Sequence, residues 1–168
     1  MKKLLLLLIL SFGCVQAQAK DYQIEMIIFS HFSAQNESEE QWPGLDAGSI
    51  NFNHARPIYS LPPSQFILKN EQHRLDQSPA YHTLLHIAWR QAVVDTPHAR
   101  TRLIQGNNVE GTVRVSVQRY LNVALNLVFK NNSNYFYLSQ NRRMRSNELN
   151  YVDFLLYGVL IKIVPVKG

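Results

Sequence analysis

Six histidines, a single cysteine and a scatter of carboxylates are the side chains from which a chemical site could be built. His82 and His86 have the four-residue spacing that places two imidazoles on one face of a helix, as in zinc hydrolases. Such a helix also needs a glutamate beside the first histidine, and Thr83 stands there. A serine nucleophile of the hydrolase type needs a Gly-x-Ser-x-Gly turn, and a phosphate cradle needs clustered glycines. The chain has neither, and its seven glycines are dispersed. Glu25, Asp95, Glu110, Glu148 and Asp153 are carboxylates of the kind that cleave glycosidic bonds, but nothing in their spacing sets two of them across a sugar linkage. The residue types therefore predict no metal, no cofactor and no catalytic group.

The densest charge lies near the C-terminus, where Arg142, Arg143 and Arg145 fall within a few residues of Glu148 and Tyr151. On an extended chain Arg143 and Arg145 share one face and Arg142 with Met144 the other, so at least one arginine is expected to point toward the protein body. A buried guanidinium needs a carboxylate partner, for which Glu148, Glu110 or Glu25 would serve. The competing reading is a contact surface. Guanidinium forks match carboxylates bidentately, and Tyr135, Tyr137 and Tyr151 could stack on sugar faces. Arg142, Arg143, Arg145, Glu148 and Tyr151 are accordingly the expected ligand-binding residues. Core or turn packing is expected for Trp42 and Trp89.

The elements that must hold these residues read mainly as strands. Residues 21–32 carry apolar groups on both parities, the mark of a central strand. Residues 33–40 are polar and read as a loop, 41–44 as a turn, and 45–63 as a long irregular excursion in which Pro57, Pro62 and Pro63 forbid extended ladders. Ser78 and Pro79 have the form of a helix start, so a short helix is expected over 78–84, followed by a strand over 85–93. Alternation predicts strands at 112–118 and 121–129, joined near 118–120, a turn at 130–134 and a strand at 135–144. Leu149, Tyr151 and residues 155–166 supply the last sheet positions, stopped by Pro165. The fold class expected is α+β: a mostly antiparallel sheet with one or two helices.

The start of the chain predicts its compartment. Lys2 and Lys3, the unbroken apolar run from Leu4 to Leu10, and Ala17-Gln18-Ala19 form a three-part export signal. The run is far shorter than the ~20 apolar residues of a membrane-spanning helix. Residues 1–19 are expected to be removed, leaving 20–168 as one domain without cysteine. The alternative is lipidation at Cys14 and anchorage to the outer membrane. A chain of this length buries roughly 68–70% of its unfolded surface, enough for one core. Losing two lysines lowers the formal charge from +5 to +3. That mild balance and a periplasmic address argue against nucleic acid. They favour anionic wall polymer, whose stem peptides carry several carboxylates, or membrane head groups.

Four stretches resemble the CsiV family of periplasmic peptidoglycan-binding proteins: residues 22–29 (YQIEMIIF), 40–43 (EQWP), 84–91 (LLHIAWRQ) and 140–153 (QNRRMRSNELNYVD), the last continuing into 157–165 (YGVLIKIVP). They fall in the family's order. The pattern differs at Asn150, where the family often has histidine, and at Phe154-Leu155, where it often has His-Pro. The resemblance implies a non-catalytic wall-binding protein that supports peptidoglycan synthesis and cell shape, with a bifunctional penicillin-binding synthase and its lipoprotein activator as partners. Two other readings stay open: an envelope scaffold that binds only protein through residues 33–74, and a hydrolase of wall sugar or peptide.

Overall fold

An apolar run with no alternation has to be buried on both faces, and β1 (Lys20–His31) is covered on both. The structure, a computed structural model, describes residues 20–31, 50–131 and 134–166. The export signal with Cys14, the polar loop at 33–40 and the turn around Trp42 lie outside the described residues. After β1 come an irregular excursion, the helix α1 (Lys69–Asp76), and strands β2 (Tyr81–Val93), β3 (Thr101–Gly106), β4 (Val109–Val117), β5 (Leu121–Asn131), β6 (Asn134–Met144), β7 (Leu149–Phe154) and β8 (Tyr157–Pro165).

Eight strands form two four-stranded antiparallel sheets, ordered β2-β1-β8-β7 and β3-β4-β5-β6. Ile24, Met26 and Ile28 of β1 turn inward beside Trp89, Val159, Ile161 and Ile163, and meet Val113, Val115, Val123, Leu125 and Leu127 from the second sheet. Phe129 and Tyr157 stack at 4.0 Å between ring centroids and join the two layers. The opposite face of β1 carries Ile27 and Phe29, which pack against Leu68 at the start of α1. The arrangement is a β-sandwich with one short helix laid on its first sheet, more β-rich than the expected α+β class. Among the described residues no helix is long and apolar enough to cross a membrane.

The expected helix at 78–84 does not form. Ser78 and Pro79 end a helix rather than begin one: the Ser78 amide bonds the Leu75 carbonyl at 3.1 Å, and the Tyr81 amide bonds the Ser78 carbonyl at 3.2 Å. The strand therefore starts at Tyr81 and includes the expected 85–93. The real helix, α1, is polar except for Leu75 and has almost no apolar period to announce it. β3 was not expected either, and the last sheet residues divide into a β7-β8 hairpin.

The excursion earns its irregularity by closing one side of the sandwich. Its Arg56 bonds β3 on both sides, amide to the Thr101 carbonyl at 2.9 Å and carbonyl to the Leu103 amide at 2.8 Å. Five residues on, the Leu61 amide bonds the Ala88 carbonyl of β2 at 2.7 Å. One strap thus meets one edge of each sheet, at β3 and at β2, where unpaired backbone would otherwise invite another chain.

Candidate functional site

The C-terminal arginines emerge at the end of β6 and in the four-residue link to β7, and all three are exposed. The expectation that one would be buried in an ion-pair network is overturned. Only Met144 turns inward, and Arg142, though on the inward parity, sits on an edge strand where its side chain escapes to solvent. Arg145 pairs loosely with Glu148 at 3.8 Å, both largely exposed. Such a surface pair contributes little to stability.

Arg143 enters a different setting. It stands on the outer face of the second sheet opposite Asn122, and its guanidinium lies 5.2 Å from the centre of the Tyr120 ring. Arg119 approaches the same ring at 5.7 Å. Together with Gln118 and Asn122 these residues line a shallow concavity of 330 Å³ at the β4-β5 turn. Neither arginine has an ion-pair partner among the described residues. The concavity offers two cations held against an aromatic face, with amides beside them. That chemistry binds carboxylates and sugar hydroxyls.

The concavity opens onto the outer face of the second sheet, exposed at Arg114, Ser139, Asn141 and Arg143, while Thr112 is buried and the Thr96 hydroxyl bonds Ser116 at 3.2 Å. Strand register aligns Thr112, Asn126 and Ser139 in one row and Arg114, Ala124 and Asn141 in the next. Asn126 Oδ1 accepts hydrogen bonds from the Tyr137 hydroxyl at 3.2 Å and from Ser139 Oγ at 2.9 Å, which fixes the surface as a polar lattice. Arg119, Tyr120 and the amide rows escaped the sequence reading because only strand register brings them together.

Tyr151 is not part of this group. It projects from the outer face of the first sheet, on the far side of the sandwich from Arg143. Its ring stacks at 6.2 Å on Phe29, which lies flat over Gly158, where an added Cβ would fall 2.3 Å from the ring. Burial of its hydroxyl, then the 2.7 Å hydrogen bond it donates to Asp153, push its pKa well above the ordinary value.

The remaining titratable groups separate as well. A bulge in β2 opposite Ile28 and Phe29 places His82 and His86 on opposite faces of the strand. His86 bonds Glu25 at 2.8 Å, and the same carboxylate accepts the Ile67 and Leu68 amides at 2.6 and 2.8 Å. Burial raises the Glu25 pKa, and the His86 and backbone hydrogen bonds outweigh it, so the net shift is downward. An ionised carboxylate has no proton to give, so His86 Nε2 is the donor. The five carboxylates considered for glycoside cleavage stand on different surfaces: Glu25 beneath α1, Asp95 paired with His98, Glu110 on the second sheet, Glu148 in the β6-β7 link and Asp153 beside Tyr151. Among the described residues no three His, Cys, Asp or Glu side chains gather as a metal site.

No curated protein and no solved structure matches the chain. Residues 44–166, most of the sequence, match the family model described as peptidoglycan-binding protein, CsiV, a span that includes the Arg119–Tyr120–Arg143 concavity and every strand except β1. The chain belongs to the CsiV family of peptidoglycan-binding proteins.

Proposed function

We propose that this chain is a non-catalytic peptidoglycan-binding protein of the periplasm that supports cell-wall synthesis and cell shape through a penicillin-binding synthase complex. The observation that carries the reading is the concavity where Arg119 and Arg143 flank Tyr120 beside a polar sheet face, in a chain of this family. Unpaired guanidiniums meet stem-peptide carboxylates, and the amides and hydroxyls of β5 and β6 meet sugar hydroxyls. Arg142, Arg145 and Glu148 flank this surface, whereas Tyr151 would serve a separate contact on the other sheet.

The direct test is sedimentation of the mature protein with purified sacculi at low salt. Co-sedimentation is expected, with no release of soluble muropeptides. Protein left in the supernatant, with crosslinks only to other proteins, would favour the scaffold reading instead. Mass spectrometry of the exported protein should find an N-terminus at Lys20. A chain beginning at a lipidated Cys14 would move it to the outer membrane.

A further inference from the structure

We infer that the chain carries a second ligand pocket, on the opposite edge of the sandwich, that takes carboxylates of peptidoglycan stem peptides; this deepens the wall-binding reading and rests on it. The pocket is a cleft of 640 Å³ between the strap and the start of β3, lined among others by His54, Arg56, Tyr59, Arg100 and Arg102. Among the described residues three guanidiniums line it and no carboxylate does. None of the three has an ion-pair partner among the described residues. Clustering like charges is unfavourable for the protein alone and is relieved by an anion.

The cleft is built rather than incidental. Arg56 is fixed by its paired backbone bonds to β3. Arg102 donates from Nε to Gln91 Oε1 at 3.0 Å, and that buried oxygen also accepts the indole N–H of Trp89 at 3.0 Å. The core therefore aims one edge of the Arg102 guanidinium, Nη1 reaches the Pro57 carbonyl of the strap at 3.4 Å, and Nη2 is left without a protein partner among the described residues. Burial, followed by the neighbouring Arg100 charge, lowers the Arg102 pKa from its ordinary value. Tyr59, 85% exposed at the rim, offers a flat face for a sugar ring or peptide bond.

A concave site suits a ligand that enters it. A membrane surface would meet exposed Arg56 and Arg100 but not half-buried Arg102, whereas a stem peptide presents carboxylates on a flexible chain that can enter and be gripped bidentately. The cleft and the Arg143 concavity lie toward the same end of the second sheet, the cleft at its β3 edge and the concavity at the β4-β5 turn.

The test compares intact sacculi with sacculi stripped of stem peptides by an amidase, using the mature protein and the double variant Arg56→Ala/Arg100→Ala, whose altered side chains are exposed. The double variant should bind intact sacculi at least tenfold more weakly while binding stripped glycan as the unaltered protein does, since a charged hydrogen-bonded contact is worth roughly a factor of ten or more. If the double variant melts early, Arg100→Ala alone carries the same comparison, because that guanidinium bonds nothing among the described residues. Equal binding of variant and unaltered protein to intact sacculi would overturn the pocket and leave wall binding standing. Failure of the unaltered protein to sediment would overturn both. A variant that loses affinity only for anionic phospholipid vesicles would assign the cleft to lipid head groups and overturn it too.

Discussion

Glu25 sits at a depth where a carboxylate survives only if its oxygens are answered, and Ile67, Leu68 and His86 answer them. It ties β1 to the entry of α1 and to β2 at once. Glu25→Gln removes the charge that three donors converge on and should lower stability by about 3 kcal/mol at neutral pH, measured by urea unfolding. The folded carboxyl holds its proton less tightly than the ordinary value of 4.5, so it contributes stability above that value. The contribution is lost as pH falls through the lower folded pKa. Acid titration followed by circular dichroism should therefore show a steeper loss of stability below 4.5 in the unaltered protein than in Glu25→Gln. Arg143 makes the opposite prediction. It is exposed and lies over the Tyr120 ring with no ion-pair partner among the described residues, so Arg143→Ala should cost at most about 1 kcal/mol of stability while weakening sacculus binding severalfold. A large drop in melting temperature with binding intact would return that arginine to a structural role.

At the scale of elements, β4 shows how little room the second sheet leaves. A Cβ added at Gly111 would fall 2.1 Å from the Asn126 carbonyl oxygen of β5, and backbone in mid-sheet does not yield. Gly111→Ala should lower stability by about 2–3 kcal/mol, read as a shift in the denaturant midpoint. The strands that were legible beforehand are those whose burial is dictated by period: β1 with both faces apolar, β4, β5 and β6 by alternation, and the 85–93 part of β2. Those that were not legible owe their existence to distant partners. α1 is too polar to show an amphipathic stripe, since Leu68 and Leu75 supply its packing and Glu25, more than forty residues earlier, meets its first turn. β3 is short and exists as an edge held by β4 on one side and Arg56 on the other. The site followed the same division. Arg143 was visible as part of a charge cluster, whereas Tyr120, Asn122, Arg56 and Arg102 acquire meaning only when register and strap bring them together.

Across the whole molecule, charge is distributed along the strands rather than over them. The end where β1 starts and β6 stops carries Lys20, Arg56, Arg100, Arg102, Arg114, Arg119, Arg142, Arg143 and Arg145 against Asp21, Asp95 and Glu148 among the described residues. A mildly basic chain thus has one strongly basic end, a property invisible in its net charge. Binding to sacculi should weaken steeply as salt rises from 0.1 to 1 M, because the screening length shrinks from about 10 to about 3 Å. Affinity independent of salt would show that the basic end takes no part. The order of the first sheet has a consequence of its own. The first strand is hydrogen-bonded to the last, so no stable form of that layer exists until β8 has been delivered. β1 is held by β2 on one side and β8 on the other, so a chain without β8 leaves an apolar inner strand with one whole ladder unpaired. Chains truncated before Tyr157 should stay protease-sensitive however long they are left to refold.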